Sequence, residues 1–126
     1  IAMASGIATL SELKKQNPYT AFNSVAEKIE SFLLDSAKKY NVELVVNRFG
    51  SMMNPFFTKE SVVDFPTAQK SDTEKFGIFF WEMIKNGVFL PPSQFEAWFL
   101  SSALDNSDLK VIKKAIDAAI GKVSEA

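Results

Sequence analysis

The sequence predicts an α+β fold, an antiparallel sheet of three to four strands packed against helices. Two observations lead there. Apolar residues recur at steps of three and four over several long stretches, the spacing of a helix with one buried face. Between those stretches the period is lost, and short runs rich in valine and phenylalanine alternate with glycine and proline, as strands and turns do. With 126 residues, 47% hydrophobic and 23% charged, the chain has the balance of one ordinary domain with a real core.

Residues 1–16 read as a helix, with Ile7, Leu10 and Leu13 at helical spacing. No Ser, Thr, Asp, Asn or Pro precedes Ile1, and the first residues are already small and apolar. The expectation is a helix joined partway along, and hence a carboxy-terminal piece of a larger protein. A second helix is predicted from Asn17-Pro18, with asparagine as cap and proline at the first helical position. Phe22, Ala26, Ile29, Leu33, Ala37 and Tyr40 make its buried stripe, charged residues face water, and Asn41 stops it.

Residues 42–46 and 52–57 read as a hairpin about Phe49-Gly50-Ser51. Pro55 cannot donate to a ladder, which predicts a bulge or an edge there. Residues 58–70 have no clean period and read as an ordered loop. Ser71-Asp72-Thr73-Glu74 has the form of a capping box, with Ser71 as the cap, opening a helix that Gly87 closes. That helix carries Phe76, Phe79, Phe80, Met83 and Ile84 on one face, with Ile78 and Trp81 outside it. Residues 88–90 and 98–100 are predicted strands either side of a proline-stiffened loop. A last helix from Asn106-Ser107 buries Leu109, Ile112, Ile116, Ala119, Ile120 and Val123.

The chemistry is bounded by absences. There is no cysteine, which excludes disulfides and thiolate metal sites, and no histidine, which removes the commonest general base and metal ligand. A net charge of −1 favours neither nucleic acid nor anionic membranes, and no apolar run is long enough to span a bilayer. The expected compartment is the cytosol. Carboxylate pairs such as Glu27 and Glu30 lie on solvated helix faces, no lysine is convincingly desolvated, and no glycine-rich phosphate cradle is present. No catalytic, cofactor-binding or metal-binding residue is therefore assigned in this chain. One stretch stands apart: in residues 90–102 prolines hold Ser93, Gln94 and Glu96 between two strands. It reads either as a binding wall or as a strand connection whose polar groups cap their own backbone.

Four blocks carry a family resemblance: residues 2–10 (AMASGIATL), 47–52 (NRFGSM), 71–76 (SDTEKF) and 92–97 (PSQFEA) with 99–103 (FLSSA). In that order and spacing the chain resembles the carboxy-terminal part of the glutamate-1-semialdehyde 2,1-aminomutases, within the class III pyridoxal-phosphate aminotransferases. Trp98 and Leu104 depart from the family, which usually has glycine and histidine there. The resemblance implies the small domain of a fold-type I pyridoxal-phosphate enzyme over residues 1–126, with 1–16 ending a helix from a large domain outside the chain. It also implies a full-length homodimer that isomerises (S)-4-amino-5-oxopentanoate to 5-aminolevulinate for tetrapyrrole synthesis. The Schiff-base lysine and most phosphate contacts would lie in the large domain, leaving this chain without bound cofactor and inactive alone. Glu96 would face the small-molecule substrate, with Ser93 and Gln94 shaping the wall. Two other readings are a class III ω-aminotransferase fragment and a free-standing α+β interaction module using Ile78 and Trp81.

Overall fold

The computed structural model describes all residues from Ile1 to Ala126. Five helices, α1 (Ala2–Gln16), α2 (Tyr19–Tyr40), α3 (Phe65–Ala68), α4 (Thr73–Lys85) and α5 (Asn106–Val123), accompany three strands, β1 (Val45–Phe49), β2 (Met52–Phe56) and β3 (Trp98–Phe99). The strands form one antiparallel sheet in the order β1-β2-β3. The α+β expectation holds, at the lower strand count. Residues 88–90, predicted as a fourth strand, run extended without a ladder partner.

Helix α5 lies between α2 and α4, and the three cover one face of the sheet. The layer between contains Leu33 from α2, Met53 and Trp98 from the sheet, Phe79 and Met83 from α4, and Ile116 and Ile120 from α5. At roughly 25 cal/mol per Å² of apolar surface, each such side chain adds about 1.5–3 kcal/mol. Residues 58–70 cross the other face, where Phe56, Val62 and Ala68 form a small second cluster. The split follows from alternation: Met53 and Pro55 point to the helices, Phe56 to the opposite side.

Local details depart from the predicted ones for physical reasons. Asn17 caps the end of α1 instead of the start of α2: it is left-handed (φ 45°) and its N–H donates to Leu13 O. Pro18 takes the capping position of α2 without a side-chain bond. The hairpin turns on Gly50-Ser51 alone, with Gly50 at φ 60°, so β1 starts three residues later than expected and retains Phe49. Helix α3 falls in the stretch predicted as loop. Asp64 accepts from Thr67 N while Thr67 Oγ1 accepts from Asp64 N, a capping box around a proline in the first turn. Helix α4 is capped by Asp72, not Ser71: the carboxylate accepts from the Glu74 and Lys75 amides, and Ser71 is buried with its hydroxyl unpartnered. The full negative charge of Asp72 favours it at the helix amino terminus.

Two side-chain clusters fasten the layers. Arg48, on β1, donates to Glu30 at 2.6 Å and to Asn23 at 2.8 Å, both on α2. Lys39 on α2 bridges Asp117 on α5 at 2.8 Å, and the Tyr40 hydroxyl donates to the same carboxylate. The hydrogen bond from Lys39 holds the Asp117 carboxyl below its ordinary value, and Asp117 in turn raises Lys39.

Asp72→Ala should destabilise the chain by about 1 kcal/mol in denaturant unfolding, the usual cost of losing a cap. Ser71→Ala, which only removes an unpaired buried hydroxyl, should be neutral or stabilising. The Lys39–Asp117 pair has a defined pH window. Because the Asp117 pKa is depressed, its contribution is complete above 3.8 and is lost as pH falls through the lower folded value. Because the Lys39 pKa is raised, the alkaline limb is complete below 10.5 and is lost above it. Tm against pH for Asp117→Asn should show a flatter acid limb than the parent, by a small margin because the pair is exposed.

Candidate functional site

The segment joining α4 to β3 is held by two prolines and several hydrogen bonds. Pro91 and Pro92 fix its first dihedrals. Ser93 then closes a tight turn: its Oγ accepts from Phe95 N at 3.2 Å, and its carbonyl accepts from Glu96 N at 3.1 Å. The turn is fastened to the sheet through the next residue. Gln94 is buried, its Nε2 donating to Pro55 O at 2.7 Å, while Asn54 Nδ2 donates to Gln94 O at 2.9 Å. Two residues past Glu96 the chain re-enters the core at Trp98, whose ring lies 6.3 Å from that of Phe79 and nearly parallel to it. Its indole N–H is buried without a partner.

These anchors leave Glu96 exposed at the rim of a cavity of about 540 Å³. The walls are mostly apolar, among them Phe89, Leu90, Pro92, Trp98 and Leu104, with Ser101 as the other polar side chain besides Glu96. An isolated carboxylate on an apolar rim is suited to receive a cation that brings its own hydrogen-bond donors, such as an ammonium group. No lysine or arginine lines this cavity. Its residues therefore do not fit a pyridoxal phosphate, which needs an amine for its aldehyde and donors for its phosphate. No three His, Cys, Asp or Glu residues gather into a metal site.

The three residues singled out by sequence fall into different places. Glu96 lines the cavity. Gln94 does not: it points into the sheet. Ser93 is half-buried and spends its hydroxyl on the turn. Asn54 and Pro55 were missed, since their part depends on side-chain-to-backbone bonds across some 40 residues of sequence. Trp98 is structural, filling the space between the sheet and α4. Trp81 is 63% exposed, whereas Ile78 packs against the core, so the two do not form one outward patch.

No protein-family model matches the chain. Its fold is that of a transaminase segment: a transaminase with PLP bound superimposes with a TM-score of 0.78 at 17% identity, covering 98% of this chain and 27% of the other. An omega-transaminase from Sphaerobacter thermophilus gives 0.74 at 15% identity, covering 85% and 24%. In sequence, the chain is homologous over nearly its whole length to the carboxy-terminal part of curated glutamate-1-semialdehyde 2,1-aminomutases. It is 45% identical to the Persephonella marina enzyme over 93% of the chain, 40% to that of Aquifex aeolicus over 100%, and 46% to that of a Sulfurihydrogenibium species over 87%. The chain spans 26–28% of the length of these curated relatives. The resemblance read from four sequence blocks is borne out. No helix is long and apolar enough to cross a membrane.

The two indoles should report their different settings. In Trp81→Phe the remaining Trp98 should resist acrylamide quenching, and in Trp98→Phe the remaining Trp81 should be quenched readily. Equal quenching of both would contradict the placement of Trp98 in the core.

Proposed function

We propose that this chain is the small domain of a cytosolic, homodimeric glutamate-1-semialdehyde 2,1-aminomutase, and that it supplies one wall of the substrate site. The full-length protein would isomerise (S)-4-amino-5-oxopentanoate to 5-aminolevulinate. The observation that carries the reading is identity of 40–46% over 87–100% of the chain to proteins bearing that name. The cavity supports the division of labour. With no amine or phosphate donor in its lining, the cofactor would be held by the remaining part of the longer protein, where pyridoxal phosphate supplies an electron sink.

Within this chain the work falls to Glu96. Its carboxylate accepts charge-assisted hydrogen bonds from the substrate's ammonium group and so fixes the end of the molecule at which nitrogen leaves or arrives. Once the rest of the longer protein covers the rim, the apolar walls would exclude water and strengthen that bond. Ser93 acts only by holding the turn. The substrate is small and carries an amine, an aldehyde and a carboxylate, and the rim presents one negative charge to meet the first of these.

In the full-length protein, Glu96→Gln should lower kcat/KM about 10- to 100-fold, the loss of one charged hydrogen bond worth about 1.5–3 kcal/mol. Unchanged kinetic constants would remove Glu96 from the site. The same protein should convert the semialdehyde without an added amino acceptor. A strict need for an acceptor would instead indicate an ω-aminotransferase.

A further inference from the structure

The ladder between β2 and β3 stops after two pairs, Met52 with Phe99 and Met53 with Trp98. Continued in the same register, it would pair Asn54 with Ala97 and Pro55 with Glu96. Leu100 N donates to Ser51 O at 3.2 Å, which shows that Ser51, Met53 and Pro55 turn their backbone groups toward β3. At Glu96 the ladder would thus need a bond from residue 55 N to Glu96 O, and Pro55 has no N–H. The reciprocal bond, from Glu96 N to Pro55 O, is also unmade. Pro55 O accepts instead from Gln94 Nε2 at 2.7 Å, and Glu96 N donates to Ser93 O. On its other side Pro55 lies opposite Val46 in a pair that exchanges no backbone bonds, so the proline costs β1 nothing.

We infer that Pro55 and Gln94 are positioning residues for Glu96. Pro55 ends the ladder at the one pair that would draw Glu96 into the sheet, and the Gln94 side chain occupies the carbonyl left over. The loop is thereby closed against the sheet and its carboxylate is held out over the cavity. Asn54, donating to Gln94 O, completes the closure. A strand continued to Glu96 would lay its backbone along β2. The role in substrate binding rests on the reading of Glu96 given above. The placement itself does not.

The test uses the full-length protein and three variants. Pro55→Val restores the missing N–H in a residue that suits a strand. It should hold or raise Tm, slow hydrogen exchange in peptides covering 93–97 as the ladder lengthens, and lower kcat/KM about tenfold. Stability and activity moving in opposite directions is what a merely structural proline would not produce. Gln94→Met keeps the volume and removes the donor; exchange across 93–97 should quicken. Gln94→Glu donates to Pro55 O only when protonated, so its deficit in kcat/KM relative to the parent should shrink as pH is lowered. Where Glu96→Gln lowers kcat/KM, parent-like kinetics in Pro55→Val overturns the inference, as does a Gln94→Glu deficit independent of pH. If exchange shifts as stated while Glu96→Gln is kinetically silent, the latch stands and the substrate reading falls. If exchange at 93–97 is unmoved in all three, the latch falls whatever Glu96→Gln does.

Discussion

Phe79 is the residue on which the architecture turns. It is wholly buried, its ring packs against Phe57 at 5.5 Å, and it stacks on Trp98 at 6.3 Å. Those two partners stand just past the end of β2 and at the start of β3, so one aromatic side chain on α4 joins the helical layer to β2 and to β3, the strand that lines the cavity. Aromatic contacts of this kind add about 0.5–1.5 kcal/mol beyond their buried area. Their geometry matters more here, because a ring held on two sides leaves the strands little freedom to slide. Everything that positions Glu96, from the proline pair to the turn at Ser93, is built outward from that fixed point.

The helices were legible because their signal is repetitive. Six apolar positions across α2 and six across α5 all point one way, and tertiary packing had nothing to override. The class of fold followed from them. Ends were less legible, since several residues compete for one cap: Ser71 and Asp72 both fit, and the choice depends on which side chain the core can bury. Helix α3 was hidden because four residues carry no period, although Asp64 followed by Pro66 and Thr67 was a signal at hand. A strand was predicted at Val88 because its composition suits one, but a strand also needs a neighbour, and none is there.

The candidate site was half legible. Family resemblance, not periodicity, marked Glu96, and proline content marked the loop that carries it. What could not be read was the division of labour inside that loop. Gln94 and Glu96 are two residues apart and alike in shape, yet one faces the sheet and the other the cavity. The difference is made by Pro55, some 40 residues earlier, through a hydrogen bond it cannot form. Sequence showed the proline as an irregularity of its own strand. Its effect lies on the neighbouring one.

Helix α1 has 15 residues and not one of them is buried, with Ile7 and Leu10 both largely exposed. A helix of that length with so little burial is marginal in water, because nucleation is costly and propagation gains little per residue. In isolation it would therefore be the first part of the chain to fray, at a free energy far below that of global unfolding. Its order becomes an indicator for anything that covers it: a partner surface on Ile7 and Leu10 would be felt as a gain in helicity before any change in the core. The chain thus holds two thermodynamic regimes in one continuous backbone, a cooperative body from α2 to α5 and a segment whose stability is borrowed from its surroundings.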